Sequence, residues 1–255
     1  MTSLPRTPTF RLEGRRALVT GGGRGIGAAC AAALADAGAH VVVSARSEGE
    51  IAAVAAAIRE QGGSAEALAL DVGDAAGVRA TLAGQPSFDI LVNNAGTNRP
   101  KPFTQVTEDD YDAVLDLNLK AAFFVAQAVA DGMVNAGRGG SLIHMSSQMG
   151  HVGGPTRTLY CASKWGLEGL NKAMALDLAP HGIRSNTLCP TFIETPLTKP
   201  FFENKDFLAS VLAKIKLGRL GRVEDLMGAV VFLASDASAL MTGTSMMIDG
   251  GWTAD

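Results

Sequence analysis

A cluster of glycines near the start constrains the fold of this chain more than any other sequence feature. The segment TGGGRGIG, at Thr20–Gly27, follows the apolar run RRALVT and precedes the helix-like AACAAALADAGA. A phosphate-binding loop needs this order, because glycines let the backbone approach a pyrophosphate and the next helix presents free N–H groups. A tight turn without a ligand requires fewer glycines. The segment therefore predicts a dinucleotide-type phosphate site.

Apolar runs of strand length alternate with helix-like segments along the rest of the chain. The predicted strands are RRALVT, HVVVSAR, AEALALDV (ending at Asp71), FDILVNNAG, SLIHMSS, HGIRSNTLCP and GTSMMIDGG. A long helical stretch, TEDDYDAVLDLNLKAAFFVAQAVADGMVNAG, begins with the acidic turn that favours a helix start. Strict alternation of strand and helix predicts an α/β fold with one doubly wound parallel sheet.

The same pattern predicts how the chain is divided. The polar start, MTSLPRTPTFRLEG at residues 1–14, contains two prolines and is expected to be a loose N-terminal arm. Residues 15–255 form the single domain. Residues 190–221 have no strand pattern, and we expect a substrate loop with one or two helices there.

Composition excludes several classes of protein. Of 255 residues 47% are hydrophobic and 18% charged, which is typical of a globular protein, and a net charge of −3 gives no argument for nucleic acid or an anionic membrane. No signal peptide is recognisable, and no apolar run is expected to reach membrane-spanning length. Three scattered cysteines indicate reduced thiols and a cytoplasmic location. The four histidines show no ligand spacing, so no metal is predicted.

The residues after the second strand bear on the choice of cofactor. Dinucleotide folds place an acidic residue there for a ribose hydroxyl, or an arginine for a 2′-phosphate. This chain has Ser44, Ala45 and Arg46, with no carboxylate until Glu48, and Arg24 lies within the glycine segment. Two guanidinium groups favour NADP over NAD. The alternative is that both are solvated surface arginines.

A tyrosine and a lysine four residues apart suggest proton chemistry. Tyr160 and Lys164 lie in TLYCASKWGLEGLNKAMALDL, whose apolar spacing predicts a helix, so they share one face. A nearby cation is expected to lower the pKa of a tyrosine toward neutrality, where it can exchange a proton. Ser147 ends the preceding strand and could bring its hydroxyl beside the phenol. An ordinary helix surface would explain the pair equally well if it stood alone.

With these motifs in order, the chain resembles a short-chain dehydrogenase/reductase over nearly its whole length. The resemblance rests on TGGGRGIG, LDV at Leu70–Val72, NNAG at Asn93–Gly96, Asn118, Ser147, YCASK at Tyr160–Lys164 and IDGG at Ile248–Gly251. It implies a single Rossmann-type doubly wound domain with a seven-stranded parallel sheet, an NAD(P)-dependent enzyme and often a tetramer.

The resemblance also implies residue roles. Tyr160 would be the acid/base, Lys164 would lower its pKa and bind the nicotinamide ribose, Ser147 would hydrogen-bond the reacting oxygen, and Asn118 would position a relay water. The cofactor would also be contacted by Gly21, Arg24, Ile26, Gly27, Arg46, Asp71, Val72, Asn93, Ala95, Gly96, Ile193 and Thr195. The family usually has glycine where this chain has Thr191, which affects the expected loop beside the nicotinamide.

Two sets of side chains suggest different substrates. Asn98, Gln148, His151 and Arg157 would form a polar rim suited to a sugar, polyol or sugar acid, unless they are solvated loop residues. Phe192, Phe201, Phe202 and Phe207 would form an apolar lid suited to a lipophilic ketone. A 3-oxoacyl thioester reductase is an alternative enzyme, although the net charge gives no sign of a basic docking patch. A cofactor-sensing regulator is the alternative of another class, and such proteins tend to lose the Ser/Tyr/Lys set.

The C-terminal segment suggests self-assembly. Apolar residues spread around more than one stripe of VEDLMGAVVFLAS, and adjacent Met246 and Met247 would point to opposite faces of the last strand. An edge strand with two apolar faces needs a cover. We therefore expect a homo-oligomer, in agreement with the tetramer that the resemblance implies, unless the tail packs wholly within its own subunit.

Overall fold

The computed structural model describes residues 4–254 and contains one parallel sheet of seven strands. The strands are Arg16–Thr20 (β1), His40–Ala45 (β2), Ser64–Ala69 (β3), Ile90–Asn93 (β4), Gly140–Met145 (β5), Ile183–Pro190 (β6) and Ser245–Ile248 (β7). Their spatial order is β3-β2-β1-β4-β5-β6-β7, and every pairing is parallel. The order reverses direction between β1 and β4, which is where doubly wound folds bind ligands. The predicted fold class is confirmed.

Eight α-helices lie among the described residues. They are Gly25–Asp36 (α1), Glu48–Glu60 (α2), Ala75–Ala83 (α3), Glu108–Leu115 (α4), Ala121–Ala136 (α5), Thr158–Leu178 (α6), Lys205–Leu212 (α7) and Glu224–Ala234 (α8). A π-helical segment, Asp116–Lys120, joins α4 to α5. Short 3₁₀ turns occupy Phe103–Gln105, Gln148–Gly150, Ala179–His181, Lys199–Glu203 and Asp236–Ser238.

Strand β2 shows why both faces of the sheet are covered. Val41, Val42 and Val43 are all fully buried. Val41 and Val43 belong to one apolar cluster, with residues of α1, α2 and α8, whereas Val42 belongs to a second, with residues of α3 and α5. Successive side chains of a strand alternate between faces, so a run of valines serves two cores at once.

Two boundaries differ from expectation. Strand β3 ends at Ala69 rather than Asp71, because the Asp71 side chain accepts a hydrogen bond from Gly73 N (2.9 Å) and begins a turn. The N-terminal arm is shorter than residues 1–14: Leu12 is buried, and Phe10 packs against Phe232 with ring centroids 6.1 Å apart. Residues 1–3 of the arm lie outside the described residues. The loop at 190–221 contains α7 and one 3₁₀ turn.

The α4–α5 stretch corrects the expectation about membrane-spanning runs. Glu108–Ala136 spans 29 residues and is, by length and composition alone, long and apolar enough to cross a membrane. In this fold, α5 buries Val125, Val129 and Met133 against the second apolar cluster. A core helix of a soluble protein passes the same test, and packing against the sheet accounts for the apolar composition.

Candidate active site

The glycine segment forms a tight turn between β1 and α1. Gly21 and Gly25 have φ values of 62° and 55°, in the left-handed region that favours glycine. A Cβ atom on Gly27 would lie 2.2 Å from the carbonyl oxygen of Gly21, so a side chain there would clash with the backbone. Asn94 Nδ2 donates to the carbonyl oxygens of Thr20 (3.0 Å) and Gly21 (3.2 Å), which holds the turn against the end of β4.

This turn fits a pyrophosphate. The residue that caps α1, Arg24, makes no side-chain hydrogen bond to the first turn of the helix. Backbone N–H groups at a helix N-terminus that lack a capping side chain form a ready anion site. Thr195 lies 3.5 Å from the place that a Cβ of Gly25 would take, which brings the loop after β6 beside the phosphate turn.

A carboxylate that is distant in sequence from the glycine segment lies at the expected adenosine end of the site. Arg46 follows β2 and is exposed, as predicted. Arg24 Nη1, however, lies 3.6 Å from Glu50 Oε1 on α2, and both side chains are largely exposed. An exposed ion pair of this kind contributes only about 0–1 kcal/mol, so a phosphate can compete for the arginine. Nearby Val72 is buried and Asp71 is exposed.

Ser147 and Tyr160 meet as the sequence predicted. Ser147 lies two residues after the end of β5, where its Oγ donates to Gln148 Oε1 (2.7 Å) and accepts from Met149 N (3.1 Å). It also shares a hydrogen bond with the hydroxyl of Tyr160, in the first turn of α6. The two hydroxyls can therefore contact one substrate oxygen.

The pKa of Tyr160 does not shift in the predicted direction. Burial raises it, while the hydrogen bond with Ser147 and the nearby Arg157 partly oppose that rise. The Lys164 ammonium lies 5.6 Å from the centroid of the Tyr160 ring and donates to the carbonyl oxygen of Met145 (2.7 Å). The expected lowering of the tyrosine pKa by Lys164 is therefore wrong for this arrangement, because burial raises the pKa and the ammonium is directed at the Met145 carbonyl rather than at the phenol.

The pKa of Lys164 is also shifted from its usual value. This residue is 5% exposed, and burial lowers its pKa to about 8, while the nearby Cys189 and Glu168 oppose that shift. It therefore remains largely cationic at neutral pH.

Asn118 lies in the π-helical segment, where its side chain is fully buried. Its Oδ1 accepts from Thr97 N (2.7 Å), and its Nδ2 donates to Thr97 O (2.9 Å) and Ser163 Oγ (3.1 Å). Both amide hydrogens are thus used. A relay water would therefore have to bind its backbone carbonyl, which is a location that π-helical turns often provide at functional sites.

The NNAG segment is placed differently from the prediction. Asn93, expected to line the cleft, is 5% exposed and donates to Ala122 O (2.7 Å). It fixes α5 to the sheet, and Asn94 is the residue that holds the glycine turn. A Cβ on Gly96 would lie 3.2 Å from Asn118 Oδ1, so this backbone passes directly over the π-helical segment. Ala95 N donates to Thr20 Oγ1 (3.2 Å).

The loop after β6 accommodates Thr191 without glycine. Thr191 does not have a left-handed backbone, so the departure from the family pattern imposes no strain at this position. Its Oγ1 is buried and without a hydrogen-bond partner. Ile193 is buried and pairs with Gly221 in an isolated parallel bridge, which closes the 190–221 loop at its base.

The predicted substrate residues separate into two groups. Gln148 is buried and bonded to Ser147, and Arg157 is 6% exposed with its guanidinium 5.7 Å from the Phe201 ring centroid. Asn98 is half-buried after β4. His151 instead faces α6 and β6, with Nε2 3.5 Å from Cys189 Sγ and 3.6 Å from Glu168 Oε1.

An aromatic cluster lies on the 190–221 loop. The Phe192 ring centroid is 6.2 Å from that of Phe202, 5.7 Å from that of Phe207 and 5.6 Å from that of Trp252. Phe201 contacts Arg157 instead. The predicted apolar lid therefore contains three of its four phenylalanines and gains Trp252. No sequence pattern predicts the position of this tryptophan, which approaches the loop from the C-terminal end of the chain.

Comparisons with known proteins agree with this geometry. A family model described as "Enoyl-(Acyl carrier protein) reductase" matches residues 21–253. L-xylulose reductase of Bos taurus is 38% identical over 96% of this chain and 99% of its own length. A 3-oxoacyl-[acyl-carrier-protein] reductase of Vibrio harveyi is 39% identical over 95% of this chain and 98% of its own.

A solved structure extends the comparison to three dimensions. The crystal structure of a gluconate 5-dehydrogenase from Burkholderia cenocepacia, in complex with NADP and tartrate, superposes with a TM-score of 0.93. It is 40% identical, and the match covers 96% of this chain and 98% of that one. These matches show that the chain belongs to the short-chain dehydrogenase/reductase family of NAD(P)-dependent oxidoreductases.

Proposed function

We propose that this protein interconverts a carbonyl and a secondary hydroxyl group of a sugar, polyol or sugar acid, with NADP as the preferred cofactor. The observation that carries the proposal is the position of Ser147, Tyr160 and Lys164. Ser147 lies just past the carboxyl end of β5, where Lys164 of α6 donates to the Met145 carbonyl, and Tyr160 lies one turn earlier on that helix. The glycine turn follows the carboxyl end of β1, at the same edge of the parallel sheet, so the proton donor and the dinucleotide site would share one cleft.

The residues supply proton transfer and charge stabilisation. When bound, the nicotinamide cofactor supplies or accepts the hydride. In reduction, Ser147 donates a hydrogen bond to the substrate oxygen and Tyr160 gives that oxygen its proton. A raised tyrosine pKa keeps the phenol protonated at neutral pH, which suits its role as an acid. Lys164 then stabilises the phenolate, and a water on the Asn118 backbone carbonyl returns the proton.

The preference for NADP rests on Arg24 and Arg46. Both are exposed at the end where the adenosine ribose of a dinucleotide would lie, and no carboxylate directly follows β2. A 2′-phosphate would replace Glu50 as the partner of Arg24. The relative from Burkholderia cenocepacia was crystallised with NADP, which supports the same choice.

The polar substrate class rests on Gln148, Arg157 and Asn98. A buried amide beside Ser147 and a largely buried guanidinium fit hydroxyl and carboxylate groups better than a hydrocarbon chain. The named substrates of L-xylulose reductase and gluconate 5-dehydrogenase support this class. The similarity to the Vibrio harveyi enzyme keeps a 3-oxoacyl thioester reductase as the second candidate, for which the Phe192 cluster would supply apolar contacts. The retained Ser/Tyr/Lys set argues against a catalytically silent regulator.

The cysteines and the edge strand β7 bear on the location and the assembly of the protein. The three cysteines are unpaired, which supports a cytoplasmic protein. A homo-oligomer, most simply a tetramer with two-fold axes, is supported by the half-buried edge strand β7.

A substrate panel tests the proposal. The purified protein is assayed with NADP(H) and NAD(H) against L-xylulose, gluconate and a 3-oxoacyl thioester, with Tyr160→Phe protein as the blank. We expect kcat/KM for the best sugar substrate to exceed that for the thioester by at least ~10-fold, because the thioester leaves buried polar groups unpaired. A higher kcat/KM for the thioester would support the second candidate instead. No NADP-dependent turnover of any alcohol or carbonyl would favour a regulator.

A further inference from the structure

Three metal-ligating side chains from separate elements meet behind the catalytic set. His151 follows the 3₁₀ turn after Ser147, Glu168 lies one helical turn beyond Lys164 on α6, and Cys189 is the penultimate residue of β6. Their ligand atoms all lie within 4.8 Å of one another. The hydride-transfer mechanism proposed above uses none of the three.

The distances among the three ligand atoms fit one face of a tetrahedron. Cys189 Sγ lies 3.5 Å from His151 Nε2 and 3.4 Å from Glu168 Oε1, and the last two atoms are 3.6 Å apart. Tetrahedral zinc, with bonds of about 2.3 Å to sulfur and about 2.0–2.2 Å to nitrogen and oxygen, requires edges of roughly 3.3–3.6 Å. The side chains thus already have the spacing that such an ion needs.

The surroundings orient the carboxylate toward this point. Glu168 Oε2 accepts hydrogen bonds from Thr187 Oγ1 (2.9 Å) and Ser245 Oγ (2.6 Å), so Oε1 is the atom turned toward the thiol and the imidazole. Such outer contacts fix ligand orientation in metal sites. Glu168 and Cys189 are buried, whereas the His151 side chain is 31% exposed and gives an ion a path from solvent.

We propose that His151, Glu168 and Cys189 bind one Zn²⁺ or similar borderline divalent cation, with the fourth position open to water on the side of His151. Mixed sulfur, nitrogen and oxygen ligands favour zinc over magnesium or calcium. The three ligands are distinct from Ser147, Tyr160 and Lys164, and the proposal does not depend on the proposed substrate. A bound ion would tie together the turn after Ser147, helix α6 and the end of β6.

Cobalt spectroscopy of the purified, chelator-treated enzyme tests the site directly. We expect one equivalent of Co²⁺ to produce the strong visible bands of tetrahedral cobalt and a thiolate-to-cobalt charge-transfer band, both removed by added Zn²⁺. Cys189→Ser should lose the charge-transfer band. His151→Gln should weaken Co²⁺ binding by at least ~10-fold. Thr187→Val removes the hydroxyl that contacts both Glu168 Oε2 (2.9 Å) and Cys189 Sγ (3.5 Å), and should weaken binding by about 10–100-fold.

Matched controls separate this site from adventitious binding. Cys161→Ser and His181→Ala change a partly exposed thiol and an exposed imidazole outside the cluster, and both should bind Co²⁺ like the wild type. Absence of the charge-transfer band in the wild type would overturn the proposal, as would an unchanged band in Cys189→Ser. In either case the cluster would be only a hydrogen-bonded group within the core.

Thermal unfolding gives a second measurement that does not require changing a buried residue. A ligand that binds only the folded protein at a hundredfold excess over Kd should raise Tm by about 5–10 °C for a chain of this size. We expect that rise with ZnCl₂ for the wild type and its loss in His151→Gln, whose side chain is partly exposed. Equal rises in both proteins would exclude His151 as a ligand and overturn the three-residue site.

Discussion

Tyr160 illustrates how burial and charge compete at a single residue. Burial raises the pKa of its phenol, and Lys164, whose own pKa burial lowers to about 8, contacts the Met145 carbonyl rather than the hydroxyl. The phenol is therefore a competent acid in this arrangement. For Tyr160 to act as a base, the Lys164 ammonium has to stabilise its phenolate. Variants of the two residues should therefore have different kinetic effects.

Removing only the phenolic hydroxyl tests the acid. Tyr160→Phe should lower kcat by at least ~100-fold with little change in cofactor Kd, because the ring remains and only the proton-transfer group is lost. Steady-state kinetics and fluorescence titration with NADPH measure the two effects. Tyr111→Phe changes the chain's other tyrosine, which is 54% exposed, and serves as the control. Turnover like that of the wild type in Tyr160→Phe would refute the mechanism.

Replacing Lys164 should lower both the turnover rate and the affinity for the cofactor. Lys164→Met removes the ammonium that is predicted to hold the ribose and leaves the Met145 carbonyl without its hydrogen bond. We expect both kcat and cofactor affinity to fall, in contrast to Tyr160→Phe. Lys172→Met, on the same helix but bonded to Gly243 O at the surface, is the matched control. An unchanged cofactor Kd in Lys164→Met would separate the lysine from ribose binding.

Arg46 should distinguish the two cofactors. Arg46→Ala should weaken NADP binding by about 1.5–3 kcal/mol, the usual range for a hydrogen bond to a charged group, and NAD binding much less. Calorimetric titration with each cofactor measures the difference. Glu50→Gln, which releases Arg24 from its ion pair, should tighten NADP binding slightly. Equal losses for both cofactors in Arg46→Ala would show that this arginine does not contact the phosphate.

Among the elements, the glycine turn has backbone packing that leaves no room for a side chain at Gly27. Its fit depends on Gly27 lying against Gly21, and on Asn94 binding the turn from the neighbouring strand end. The motif predicted the turn and its neighbours correctly. It could not predict that Asn94 rather than Asn93 holds the turn, because two adjacent asparagines differ only in which way the strand end directs them.

A single methyl group should disrupt this element. Gly27→Ala places Cβ 2.2 Å from a backbone oxygen, and displacing that backbone should lower the free energy of unfolding by about 1–3 kcal/mol and abolish tight cofactor binding. Gly169→Ala, in α6 with open space around it, should instead stabilise the protein by about 0.5–1 kcal/mol. Chemical denaturation measures both. A Gly27→Ala protein with normal stability and NADPH affinity would contradict the close packing of the turn.

At the scale of the whole molecule, the sequence predicted the strands, helices and sheet, which depend on hydrophobic periodicity. It did not predict the contacts between side chains from distant segments. Alternating strands and helices led to the correct sheet. The group of His151, Glu168 and Cys189 could not be found, because neither their spacing nor their order resembles a metal motif. The pairing of Arg24 with Glu50 and the packing of Trp252 on Phe192 likewise depend on how helices and loops dock in three dimensions.

The sheet edge formed by β7 leaves apolar surface only partly covered. Met246 and Ile248 pack toward the first apolar cluster, and every residue of the strand is only half-buried. Met247 lies on the alternate face. On α8, Leu226 and Val230 are buried while Met227 and Val231 are half-buried, so apolar surface remains at this end of the molecule. A second subunit is the cover that we propose for it.

Introducing a charge at this edge tests the proposed assembly. The wild type should sediment at a multiple of its 26.3 kDa chain mass, most simply four. Met247→Asp should shift the equilibrium toward smaller species, because burying an unpaired carboxylate in an apolar interface is strongly unfavourable. Sedimentation equilibrium at micromolar protein measures both, and Leu240→Asp, at a fully exposed position before the strand, is the control. A wild type at the chain mass would contradict the assembly, and a fully assembled Met247→Asp protein would remove β7 from the interface.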